Sequence, residues 1–126
     1  SLGRAVKRIL IAEDDVRLCD VIGEFLGGEG YGIVVAHDGQ AALGRLRDGP
    51  IDLLIADINM PGLGGASLVH LLRTEPEWEE FVRLPIIVLS ALWDVVTFDL
   101  DIQAGFGKPV KYEELSAKVR ELIGSP

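Results

Sequence analysis

The chain has 126 residues and a formal net charge of −8, enough for one domain that buries roughly two thirds of its unfolded surface. The acidic balance argues against direct nucleic-acid binding, which relies on clustered Lys and Arg. The single Cys19 excludes an internal disulfide, and no apolar stretch approaches the roughly 18 residues of a membrane span.

No leader pattern opens the sequence, so a soluble cytoplasmic protein with no membrane partner is expected. Ser1 and Leu2 are candidates for a cloning remnant, and Arg4, Lys7 and Arg8 form the one basic group. The apolar run Ile9 to Ala12 fits a strand covered by helices on both faces. Leu18, Val21, Ile22, Phe25 and Leu26 then recur at helical spacing until Gly27, Gly28 and Gly30 stop the helix. Cys19 sits among these apolar neighbours and reads as core filler.

A second strand is predicted at Ile33 to Ala36, after which Asp38 and Gly39 turn the chain into a short helix that ends before Gly49 and Pro50. The third strand runs from Asp52 to Ala56. Beyond a glycine-rich loop, Leu68, Leu71 and Leu72 mark a third helix, and Glu75 to Leu84, with Pro76 and Trp78, reads as a longer loop. Pro85 introduces Ile86, Ile87 and Val88 as the fourth strand.

The next stretch supports two patterns. Phe98, Leu100, Ile102 and Ala104 alternate with Asp99, Asp101 and Gln103 as in a strand, whereas Val95, Phe98 and Ile102 share a helical face. A short or irregular fourth helix is the preferred reading. Leu115, Val119, Leu122 and Ile123 define the fifth and final helix. Repeated alternation of strand and helix implies an α/β domain over 1–126, a five-stranded parallel sheet with right-handed crossovers.

In such a sheet all strand ends of one kind face the same way, so residues distant in sequence meet there. Glu13 and Asp14 follow the first strand, Asp57 the third, and Lys108 the last. Adjacent carboxylates facing a third repel unless a cation or proton neutralises them. Oxygen-only donors favour a hard ion, and Mg²⁺ suits the set better than zinc. His37 has no second nitrogen or sulfur ligand nearby in sequence and His70 lies inside a helix, so both read as structural or surface residues.

The segment from Ile9 to Asp15, the run Asp57 to Gly62, Ser90 with Ala91, and Lys108 with Pro109 stand in order at the ends of different strands. Together they resemble the receiver domain of bacterial two-component response regulators over nearly the whole chain. The resemblance implies a flavodoxin-like (βα)5 doubly wound sheet of order 2-1-3-4-5. It implies that Asp57 is the phosphoacceptor, taking a phosphoryl group from a histidine kinase or phosphotransfer protein. Mg²⁺ would be held directly by Asp14 and Asp57, by Glu13 mostly through bound water, and by the backbone carbonyl of Asn59. Lys108, whose bond to Pro109 is commonly cis in the family, would bind a phosphoryl oxygen as a point charge. Ser90 would hydrogen-bond the phosphoryl group beside the amide of Ala91. No enzymatic activity is expected beyond the domain's own phosphotransfer and dephosphorylation.

Plainer readings stand beside these. Asp15 suits a helix N-cap better than a metal ligand, Ser90 alone would suit a cap, and Lys108 alone would be a surface lysine. Gly105 stands where receivers carry an aromatic switch residue, three positions before the lysine, while Phe106 falls on the opposite strand face. The stretch from Ser90 to Lys108 is also shorter than usual for the family. A receiver-shaped interaction module that ignores phosphate is therefore the alternative function; a Mg²⁺-dependent phosphohydrolase lacks a separate base and substrate-binding insert. Trp93, Val95 and Phe98 are candidates for a partner contact, or for a homodimer through the fourth-to-fifth helix face, with core packing the alternative. A conformational response is expected within 91–105. The downstream target is unspecified, and with no output domain after the fifth helix the chain reads as a single-domain regulator or an excised receiver.

Overall fold

The computed structural model describes residues 6–91 and 100–126. Five parallel strands, β1 (Arg8–Ala12), β2 (Gly32–Ala36), β3 (Leu53–Asp57), β4 (Ile86–Ser90) and β5 (Ala104–Gly107), lie in the order β2-β1-β3-β4-β5. The helices are α1 (Val16–Gly28), α2 (Gly39–Asp48), α3 (Gly65–Thr74) and a final helix at Tyr112–Ile123. This is the doubly wound, flavodoxin-like arrangement expected from the sequence.

The continuous apolar runs follow from burial of the sheet on both faces. Along each strand successive side chains point to opposite sides, so Ile9, Ile11, Leu53, Ile55, Ile87 and Leu89 join Cys19, Ile22, Leu115 and Val119 beneath α1 and the final helix. Their alternates Leu10, Leu54, Ala56, Ile86 and Val88 pack with Leu46, Leu68 and Leu72 of α2 and α3. Cys19 is fully buried, and burial first, with Asp20 and Glu13 adding to it, pushes its thiol up to about 11. It is core filler and stays a thiol at neutral pH.

Polar residues set the helix starts. Asp15 precedes α1 and its side chain accepts the Leu18 N–H at 3.2 Å, the cap anticipated for it; Asp38 does the same for α2 through the Ala41 N–H at 2.7 Å. Asp15→Ala is expected to lower stability by about 1 kcal/mol, while Asp15→Asn, which keeps the acceptor, costs less. Urea unfolding of the two variants checks this, and a larger loss in the Asn variant would contradict a capping role.

One segment differs from expectation. Glu75 to Leu84 is not an open loop: Pro76–Phe81 form a 3-10 helix whose Trp78 is buried in the core beneath α2 and α3. Phe81 lies 5.8 Å from the indole between ring centroids, and the Arg47 guanidinium stacks 3.9 Å from it. Burial of so large a ring orders a segment whose turn residues alone suggest a loop. Of the two patterns left open ahead of β5, the strand-like alternation does not hold from Leu100 to Ala104. Ile102 N–H donates to Leu100 O at 3.0 Å, a three-residue turn, and the side-chain phase inverts just after it, between Ile102 and Ala104. Leu100 and Ile102 pack on the α2–α3 side, whereas Ala104 and Phe106 pack on the other. The expected fourth helix, with Trp93, Val95 and Phe98, would fall outside the described residues.

Candidate functional site at the carboxyl end of the sheet

β1 runs out to β2 and the chain then returns to β3 on its other side, so the connections leaving β1 and β3 diverge and leave a crevice above the sheet. The chain enters it at Glu13. Its N–H donates to Ala36 O at 3.0 Å and its carbonyl is 3.0 Å from His37 Nδ1, which pins the backbone one residue past β1. The Glu13 side chain is fully buried, and Oε2 accepts the Asp15 N–H at 3.1 Å. Asp14, the next residue, is exposed, with a carboxylate oxygen still within reach of those of Glu13 and Asp57.

Asp57 is the last residue of β3 rather than the first beyond it, and is 4% exposed. Its Oδ1 accepts the Asn59 N–H at 3.1 Å, and its Oδ2 accepts from Lys108 Nζ at 3.1 Å. The same ammonium lies 3.1 Å from Glu13 Oε1. That contact pairs the charges without hydrogen-bonding alignment, so Glu13 Oε1 is buried and receives no hydrogen bond. Lys108 is placed by β5: its N–H donates to Ser90 O at 3.1 Å, and its peptide bond to Pro109 is cis. Ser90 ends β4 and is fully buried; Ala91 beside it is exposed.

One ammonium between two carboxylates cannot neutralise both. Burial pushes the Glu13 carboxyl up to about 7, with Asp57 adding to the rise and the Asp15 amide and Lys108 opposing it. Burial works against the Lys108 charge as well, but Glu13 and Asp57 outweigh it and hold the ammonium above the usual lysine value. One carboxylate oxygen from each of Glu13, Asp14 and Asp57 lies within 4.8 Å of the others. Three hard oxygen donors, excess negative charge and a buried oxygen without a hydrogen bond fit a divalent cation such as Mg²⁺.

Glu13, Asp57 and Lys108 thus meet directly, Asp14 and Asn59 stand at the rim, and Ser90 adjoins through its backbone. Two residues that the sequence reading did not place in the site support it from outside. His37 contacts the Glu13 carbonyl, signalled only by its position at a strand end. Gly65 opens α3, donates its N–H to Ile58 O at 3.1 Å, and is packed so closely that a Cβ there would lie 2.3 Å from Asp57 O. On β5, Gly105 pairs with Val88 and Phe106 with Leu89. The Phe106 ring packs in the core beneath α1 and the final helix, so no aromatic side chain occupies position 105.

Comparison with known proteins converges on one family. The model described as response regulator receiver domain matches residues 9–120. The DNA-binding response regulator MtrA of Mycolicibacterium paratuberculosis is 34% identical over 118 residues, covering 90% of this chain and 50% of that protein. Response regulator RR06 of Streptococcus pneumoniae is 34% identical over 119 residues, 91% of this chain and 52% of that protein. The chain therefore spans about half the length of these curated relatives. Among structures, response regulator TrrA of Thermotoga maritima, in complex with Mg²⁺ and BeF, has a TM-score of 0.80 at 30% identity, covering 93% of this chain and 99% of that one. A response regulator from Chloroflexus aurantiacus has a TM-score of 0.83 at 28% identity, with 94% and 98% covered.

Proposed function

This chain belongs to the response regulator receiver domain family, and from that premise we propose that it is the phosphoacceptor switch of a two-component system, with Asp57 as the acceptor. The observation that carries the reading is the surroundings of Asp57: a buried carboxylate at a strand end, one oxygen held by the Asn59 amide and the other facing Lys108.

A histidine kinase or phosphotransfer protein supplies the phosphoryl group. An Asp57 oxygen attacks phosphorus as the bond from phosphorus to the donor imidazole nitrogen breaks; the acyl phosphate forms and the electron pair returns to the imidazole. A carboxylate is a weak nucleophile, so catalysis rests on holding it in line and stabilising charge on the transferred oxygens. Asn59 N–H fixes the carboxylate plane. Lys108 supplies a cation at one phosphoryl oxygen, and Ser90 with the Ala91 amide serves another. Glu13, Asp14, Asp57 and the Asn59 carbonyl would hold Mg²⁺, which when bound supplies positive charge to the carboxylates and the phosphoryl oxygens. No turnover of an external substrate is proposed beyond this phosphotransfer and the later hydrolysis of the acyl phosphate.

Among the described residues no helix is long and apolar enough to cross a membrane, and we place the domain in the cytoplasm with its kinase. The net charge of −8 leaves DNA contact, if the parent protein makes any, to another part of that protein.

The reading is tested by intact mass after incubation with Mg²⁺ and a small phosphodonor. One phosphoryl group is expected on the native chain and none on Asp57→Asn; an unmodified native chain, or a variant that gains the same mass, refutes it. Gly105, with no ring at that position, favours a second reading in which partner binding ignores phosphate. Partner affinity that is equal with and without bound beryllofluoride would select that reading.

A further inference from the structure

Arg73, near the end of α3, lies apart from the phosphoacceptor site, yet its side chain is only 6% exposed. Its Nη1 donates to Phe81 O at 3.1 Å and Val82 O at 2.9 Å, and its Nη2 to Leu84 O at 2.8 Å. Its other donors reach the approach to β5: Nε to Asp101 O at 3.0 Å and Nη2 to Gln103 Oε1 at 3.4 Å. The guanidinium therefore ties the stretch after the 3-10 helix to the last leg of the β4–β5 connection. Gln103 extends the tie into the sheet. Its Oε1 accepts the Ile86 N–H at 2.6 Å, and its own N–H donates to Ile86 O at 3.0 Å. The β4–β5 register begins only at Ile87 and Ala104, so the Gln103 side chain supplies the acceptor that a longer β5 would have offered to the first N–H of β4.

We propose that this Arg73–Gln103 clasp is a fixed boundary to the switch: residues 81–84, Ile86 and Asp101–Gln103 keep their geometry whatever the state of Asp57. The proposal rests on reading Asp57 as the phosphoacceptor. Withdrawing these acceptors together with the Asp101 carboxylate, whose Oδ2 lies 3.7 Å from Nε, would leave a buried cation unpaired, among the most destabilising changes a core can suffer, and would strip the Ile86 N–H of its partner inside the sheet. A rearrangement that begins at Ser90 and spares the clasp avoids both. Gly105, two residues past Gln103, has no side chain to carry a displacement onward along β5.

The test is amide NMR on the whole 126-residue chain, with Mg²⁺ and beryllofluoride as the phosphoryl mimic and hydrogen exchange as a readout independent of it. In the native chain the Ala91 and Lys108 amides are expected to shift on adding the mimic, and those of Val82, Ile86 and Gln103 to hold. Gln103→Glu, which retains the acceptor, should behave as the native chain. Gln103→Ala and Arg73→Lys should speed exchange of the Ile86 amide by about tenfold or more, the factor for one hydrogen bond of ordinary net worth, and should let the shifts reach Val82 and Ile86. Native shifts at Val82 and Ile86 as large as at Ala91 overturn the boundary. So does Gln103→Ala with unchanged exchange and unchanged shifts. A native chain in which no amide responds, Ala91 and Lys108 included, overturns the phosphoacceptor reading and the boundary's role with it, an outcome distinct from a response that crosses the clasp.

Discussion

Glu13→Gln is expected to raise the stability of the metal-free protein at pH 8 and, in the same molecule, to weaken its binding of Mg²⁺. The first effect follows from burial. The Glu13 carboxyl is fully enclosed and pushed up to about 7 from an ordinary 4.5, so the folded state keeps its proton over a range where the unfolded chain has lost it. Stability then falls as pH rises, because the folded state binds more protons. The contribution is fully present below about pH 4.5 and lost once pH has passed about 7. The loss is on the order of 3 kcal/mol. Glutamine retains an acceptor for the Asp15 N–H and carries no charge to desolvate, so that slope should flatten. The second effect follows from the donor set: glutamine leaves Asp14 and Asp57 as the carboxylates within reach of the cation. Saturating Mg²⁺ should therefore restore stability to the native chain at pH 8 through binding to the folded state, and do so weakly in the variant. Urea unfolding at pH 5 and pH 8, with and without Mg²⁺, reads both effects. A native chain whose metal-free stability rises from pH 5 to pH 8 would contradict the argument.

How much of this was legible beforehand depended on the kind of interaction. Strands buried on both faces must be apolar throughout, so β1, β3 and β4 announce themselves as Ile, Leu, Val and Ala runs, and topology then gathers the polar residues that end them. Glu13, Asp57 and Lys108 could be placed together for that reason. Which neighbour is buried was not legible. Glu13 and Asp14 are alike in sequence, yet the structure buries Glu13 against Lys108 and leaves Asp14 exposed at the rim of the same carboxylate group. The Arg73 clasp was missed because its partners are mostly loop carbonyls, which leave no mark in side-chain periodicity. Trp78 offered a signal, a large ring in a segment otherwise made of turn and acidic residues, and that segment is ordered around it. The apolar alternation from Leu100 to Phe106 suggested one face, but the chain changes faces between Ile102 and Ala104, a switch that composition does not reveal.

Gly65→Ala is expected to destabilise the protein by about 3 kcal/mol, at the upper end of what overpacking a core costs, and to slow phosphorylation of Asp57. The two losses share one cause. A methyl group at 65 would lie 2.3 Å from Asp57 O and 2.9 Å from both Asp57 C and Ile58 Cα. These are backbone atoms of β3 and its exit, tied to β4 through Ile58 N–H to Leu89 O at 2.9 Å, so no side chain can swing aside. Relief requires α3 to lift or the end of β3 to move, and the second displaces the Asp57 carboxylate from Lys108 and the Asn59 amide. A misplacement of about 1 Å in a reacting group can cost on the order of 100-fold in rate. Gly44→Ala is the matched control: it lies in α2 with nothing within 4 Å of the added carbon, and alanine there should stabilise by up to about 1 kcal/mol. Phosphorylation of that variant should match the native rate. Urea midpoints and the time course of mass gain from a small phosphodonor distinguish the pair. A Gly65→Ala protein that unfolds early yet phosphorylates at the native rate would show that α3 yields rather than β3, and that Gly65 serves packing without positioning Asp57.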